Sequence, residues 1–146
     1  MSKQLPLPSS STATTNPVSM VLDVDRFSGV TEGKPSAMRS LAGRYVRTMM
    51  ERIAQIETSL YTGDLVNVRQ IAHQAGGSSA MIGVTGLATL LKKLENCAAG
   101  GSLPDAKTFI RDLHRSFGEL IDFFLARHWL TAPHNPVRKD FHSVIP

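Results

Sequence analysis

Ile71-Ala72-His73-Gln74-Ala75-Gly76-Gly77-Ser78-Ser79 is the stretch on which the fold turns. It places a histidine inside a helical pattern and follows it with two glycines and two serines. A helix that only has to pack is not written this way. Each glycine in a helix interior costs about 1 kcal/mol relative to alanine. Two of them, three and four residues after a histidine, imply a close approach to that helix from outside.

The surrounding pattern makes the stretch one helix of four. The pattern predicts a helix over residues 65–82, with Asp64 as its N-cap. Its packed side carries Leu65, Val68, Ile71, Ala72, Ala75, Ser79 and Ile82. The helix before it starts at Pro35 or Ser36, since proline suits the first helical position. Its stripe is Met38, Leu41, Tyr45, Met49, Ile53, Ile56 and Leu60, with steps of three and four residues. Gly63 closes it. A third helix begins near Val84 or Thr85 and buries Leu87, Leu90, Leu91, Leu94 and Cys97 or Ala98. Gly100-Gly101 stops it. Ser102 and Asp105 open a fourth as a capping box with aspartate for glutamate. Its stripe is Ala106, Phe109, Ile110, Leu113, Phe117, Leu120, Ile121 and Phe124.

Short connections force antiparallel neighbours, so the expected fold is all-α, an up-down-up-down antiparallel four-helix bundle. Residues 20–27 predict a short extra N-terminal helix that covers one end, and Gly29 and Gly33 mark the loop after it. Residues 1–19, rich in Ser, Thr and Pro, read as a disordered tail. The bundle domain is expected over 20–129, with Trp129 packing on its end, and a C-terminal tail over 130–146.

The bulk composition narrows the function. The chain has 146 residues, 42% of them hydrophobic, and a net charge of +4. No apolar run approaches the roughly 20 residues that span a bilayer, and no signal-peptide pattern opens the chain. The expected location is cytoplasmic, without membrane association. The single cysteine, Cys97, excludes an internal disulfide and a cysteine metal cluster. Arg39, Arg44, Arg47 and Arg52 are spread along one helix and read as a solvated face. No DNA-reading motif accompanies them, so a nucleic-acid partner is not expected.

Stepping about 100° per residue from His73 puts Arg69, Gln70, Gly76, Gly77 and Ala80 within about 60° of it. Ala72 and Ala75 fall on the packed side. His73 is thus expected on an exposed face with small and polar neighbours. No His or carboxylate lies three or four residues away, so no metal site is expected. No carboxylate close in sequence is placed to orient the ring, and Ser78 points about 140° away, which disfavours a local Ser–His dyad. Ser78 and Ser79 are expected to bond to carbonyls or a neighbouring helix. His114, His128, His134 and His142 have no comparable setting.

These residues resemble the histidine-containing phosphotransfer (HPt) domain family. The likeness runs through Ala72-His73-Gln74-Ala75-Gly76-Gly77-Ser78-Ser79, then Gly83-Val84-Thr85-Gly86-Leu87, then Leu90-Leu91-Lys92-Lys93-Leu94-Glu95. It implies a phosphorelay intermediate with His73 as phospho-acceptor. Arg69, Gln70, Gly76, Gly77 and Ala80 would form the phosphate and receiver-docking surface. The implied partners are response-regulator receiver domains and a hybrid histidine kinase, and the chain is expected to be a monomer. No cofactor is expected in this chain; Mg²⁺ would sit in the partner receiver. No P-loop or kinase glycine loop is present, so self-phosphorylation from ATP is not expected.

Two departures from the family pattern stand out. The family places lysine three residues after the histidine, where this chain has Gly76, and leucine two residues after it, where this chain has Ala75. Arg69, one turn earlier, is the first local cation to replace the lysine, with Lys92 or Lys93 behind it. Two alternative readings follow. One is a receiver- or kinase-docking bundle that is not itself phosphorylated. The other, from a different class, is a basic nucleic-acid-binding bundle.

Overall fold

The computed structural model describes residues 21–131. The tails expected over 1–19 and 130–146 lie outside the described residues, apart from Leu130 and Thr131. Five helices follow in order: α1 Val24–Val30, α2 Pro35–Thr62, α3 Leu65–Met81, α4 Thr85–Ala99 and α5 Leu103–Ala126. There is no strand among the described residues. The four long helices pack α2 on α3, α3 on α4, α4 on α5 and α5 back on α2. Short turns join them, which agrees with an up-down-up-down bundle. Among the described residues no helix is long and apolar enough to cross a membrane.

The helix ends follow from side-chain and backbone chemistry. Pro35 opens α2, and Gly63 ends it in the left-handed conformation at φ 80°. Asp64 caps α3 by accepting from the Asn67 amide at 3.1 Å. Ser102 caps α5 by accepting from the Asp105 amide at 3.4 Å.

The predicted stripes supply most of the core, with Leu65, Leu90, Phe109, Ile110 and Ile121 half-buried at its margin. Met49, Ile56, Val68, Leu87, Leu91, Leu94, Leu113 and Leu120 are all fully buried. Burying each such side chain contributes about 1.5–3 kcal/mol. Leu41 lies at the margin of the α2 stripe, and Ala42 takes the interior position beside it. Cys97 is half-buried and its neighbour Ala98 is the buried residue. Burial, with the nearby Asp105 charge, pushes the Cys97 thiol up, which disfavours its thiolate.

The N-terminal helix lies slightly later than expected. It runs to Val30, through Gly29, and Asp23 caps it by accepting from the Arg26 amide. Phe27 is its anchor. That ring stacks on Trp129 with centroids 5.0 Å apart and lies 5.6 Å from Phe124. The segment is fixed to the α3–α4 turn by the Asp23 amide, which donates to the Gly83 carbonyl at 2.7 Å. Gly83 is required there twice over. Its φ is +90°, and a Cβ would stand 2.8 Å from the Asp23 carbonyl oxygen.

Candidate functional site

Helix α3 presents one side to the bundle and the opposite side to solvent. Ala72 and Ala75 are buried, while His73 between them turns outward with its side chain 70% exposed. Alanines on the packed side bring α3 and its neighbours close together. One polar link crosses that interface. The Ser79 hydroxyl donates to the Ala75 carbonyl at 2.7 Å, so it accepts from the Tyr45 hydroxyl of α2 at 2.5 Å. Burial, partly offset by this hydrogen bond, drives the Tyr45 phenol well above its ordinary value and keeps it a donor. Ser78 bonds back to the Gln74 and Ala75 carbonyls. Neither Ser78 nor Ser79 is thereby available to form a dyad with His73.

The ring of His73 has a partner that local sequence does not reveal. Nδ1 lies 2.9 Å from Oε2 of Glu95 on α4. A carboxylate can only accept, so Nδ1 carries the hydrogen and, in the neutral ring, Nε2 carries the lone pair. Nε2 has no hydrogen-bond partner among the described residues. Glu95 is only 15% exposed, so packing restricts its own movement. Its second oxygen, Oε1, lies 3.7 Å from Nζ of Lys92. The site is therefore a row of three side chains on two helices: His73, Glu95 and Lys92. Separation by 22 residues hid the orienting carboxylate from a reading along one helix, although Glu95 stands within the motif that carries the family resemblance.

The remaining site candidates divide by their setting. Arg69, Gln70, Gly77 and Ala80 are exposed on the histidine side of α3. Nothing lies within 4 Å of the Cβ position at Gly77, so that surface is open. Gly76 differs. It is half-buried against α4, and a Cβ there would meet Leu91 Cβ at 3.4 Å and the Ala88 carbonyl oxygen at 3.9 Å. It belongs to the α3–α4 contact rather than to the open face. Arg69 makes no hydrogen bond or ion pair among the described residues, whereas Lys92 is tied to the histidine through Glu95. Met81 and Val66, both more than two-thirds exposed, add apolar surface at the two ends of the histidine face. No group of three potential metal ligands occurs among the described residues.

Comparison with known proteins covers most of this bundle. A family model described as "Hpt domain" matches residues 40–123. The crystal structure of histidine-containing phosphotransfer protein B (HptB) from Pseudomonas aeruginosa PAO1 superposes with a TM-score of 0.68. It shares 27% sequence identity, over 73% of this chain and 92% of that one. No curated protein sequence matches.

Proposed function

Because this chain belongs to the Hpt domain family, we propose that it is a phosphorelay intermediate whose His73 takes a phosphoryl group from one receiver aspartate and yields it to another. The family and the solved relative support histidine phosphotransfer in two-component signalling, among receiver domains and histidine kinases. The choice of His73 and the direction of flow are our reading. The observation that carries it is the 2.9 Å contact from Nδ1 to Glu95, which leaves Nε2 as an outward-facing nucleophile.

The step is a substitution at phosphorus. The Nε2 lone pair forms the N–P bond as the O–P bond to the receiver aspartate breaks, and the carboxylate leaves with the electron pair. Mg²⁺ held by the receiver would steady the phosphoryl oxygens. The imidazole becomes positively charged as it attacks, and the Glu95 carboxylate on Nδ1–H stabilises that charge. This is positioning and electrostatics rather than proton chemistry. The return step is the same substitution in reverse: a second aspartate attacks and the imidazole leaves. Gly77 and Ala80 leave room beside the ring for the receiver loops.

Incubation with a radiolabelled phosphoreceiver tests this. Acid-labile label should pass to the wild-type chain and not to His73→Gln. Equal labelling of the two proteins rejects His73. Gly76, in place of a lysine, motivates a second reading: a bundle that docks receivers without accepting phosphate. That reading requires a stable complex with the receiver and no phosphohistidine.

A further inference from the structure

We propose that Lys92, on α4, supplies the positive charge that holds the phosphoryl group on His73. This rests on the phosphotransfer reading above. A phosphoryl group on Nε2 brings roughly two negative charges to the protein surface. On the histidine helix Gly76 has no side chain, and Arg69, exposed on the same face, is held by no other group among the described residues, so nothing fixes its guanidinium beside the ring. Lys92 is the cation attached to the site, through Oε1 of the same carboxylate whose Oε2 holds the ring.

The helix register explains why this lysine reaches the right place. Leu91 and Ala88 of α4 lie opposite Gly76, and Glu95 lies opposite His73. Lys92 sits in the turn between them, level with the span from His73 to Gly76. A lysine at position 76 would start in the α3–α4 contact, against Leu91 and Ala88, and its four-carbon stem is long enough to carry an ammonium out of the seam on the same side. The two positions thus offer one ammonium group from either side of the α3–α4 seam. The Lys92 side chain is 65% exposed, so Nζ can swing from Glu95 toward a phosphoryl oxygen. Its flexible stem allows one ammonium to serve the carboxylate in the free state and the phosphoryl group in the loaded state. Glu95 meanwhile keeps its bond to Nδ1–H.

The experiment uses the full chain, with phosphoramidate as a small phosphoryl donor and ³¹P NMR to follow phosphohistidine. Lys92→Ala should slow phosphorylation about tenfold, which corresponds to about 1.4 kcal/mol. Lys92→Arg should retain most of the rate. Lys92→Ala combined with Gly76→Lys should recover it, because the ammonium returns from the other helix. The Cβ of that lysine would meet Leu91 Cβ at 3.4 Å, at the edge of ordinary contact, and circular dichroism of the double variant checks that it folds before its rate is read. Unchanged phosphorylation of Lys92→Ala overturns the proposal. A slow Lys92→Ala that neither arginine nor the lysine at 76 restores also overturns it, since the loss then comes from disturbed packing. A wild-type chain that takes no phosphate on His73, from phosphoramidate or from a phosphoreceiver, removes the reading beneath it.

Discussion

Two exposed histidines in this bundle are held by glutamates from a neighbouring helix. His73 on α3 meets Glu95 of α4, and His114 on α5 meets Glu57 of α2, each at 2.9 Å. Each is followed four residues later by a glycine, Gly77 or Gly118, with open space where a Cβ would stand. Proximity to a carboxylate therefore does not distinguish them. The bonded nitrogen does. His73 uses Nδ1, next to its own backbone, and leaves Nε2 at the outer end of the ring. His114 uses Nε2, so its lone pair falls on Nδ1, where its own helix hinders approach. The carboxylates differ as well. Glu95 is largely covered and also pairs with Lys92, whereas Glu57 is 45% exposed. The first pair leaves the outer ring nitrogen, Nε2, without a partner among the described residues. The second is a surface tie between helices, and its exposure limits its worth to about 1 kcal/mol or less.

Substituting each histidine gives the largest expected contrast. His73→Gln should reduce acid-labile phosphorylation to background, while His114→Gln should label like wild type. Label persisting in His73→Gln and disappearing on further substitution of His114 would break the distinction. The glutamates come next. Glu95→Ala should slow phosphotransfer by about 10- to 100-fold, the cost of a misplaced reacting group. Glu57→Ala should leave the rate alone and shift only the melting temperature, less so in high salt. Equal effects of the two would show that the choice of ring nitrogen does not matter.

The paired glycines separate docking from stability. Gly77→Ala and Gly118→Ala should each stabilise the fold by up to about 1 kcal/mol, since both sit inside helices with room for a methyl group. Only Gly77→Ala should also slow transfer from a receiver, by a few-fold, when the two variants are compared in one kinetic assay. The smallest effect concerns the packing behind His73. Tyr45→Phe removes the buried bond to Ser79 and should cost about 1 kcal/mol in chemical denaturation. It should also flatten the alkaline limb of stability. The folded phenol titrates above the unfolded one, so the unfolded chain loses its proton first. Wild-type stability should fall as pH rises past the ordinary tyrosine value near 10, and less so in the variant.

Much of the architecture was legible because helical periodicity is a local property. The stripes of α2, α3, α4 and α5, their caps at Asp64 and Ser102, and the stop at Gly63 follow from residues within a turn or two of one another. The outward placement of His73 follows from the same arithmetic, with Ala72 and Ala75 inward. Angles around one helix axis also grouped Gly76 with Gly77. That arithmetic has no information about the neighbour that covers Gly76, because the location of α4 is set by the packing of the bundle. The setting of His114 was unreadable for the same reason, since its partner lies 57 residues away.

The sequence by itself determined the four-helix pattern, an exposed histidine flanked by small residues, and the missing lysine at position 76. Tertiary structure alone decided which ring nitrogen of His73 is left without a partner among the described residues and which cation pairs with the carboxylate that holds the ring. Both depend on how α4 lies along α3, which brings Glu95 to Nδ1 and Lys92 to the second oxygen of Glu95. Side-chain reach across a helix seam is a matter of a few ångströms, and those ångströms are set by the packing of Leu91 and Ala88 against a glycine that has no side chain to keep them away.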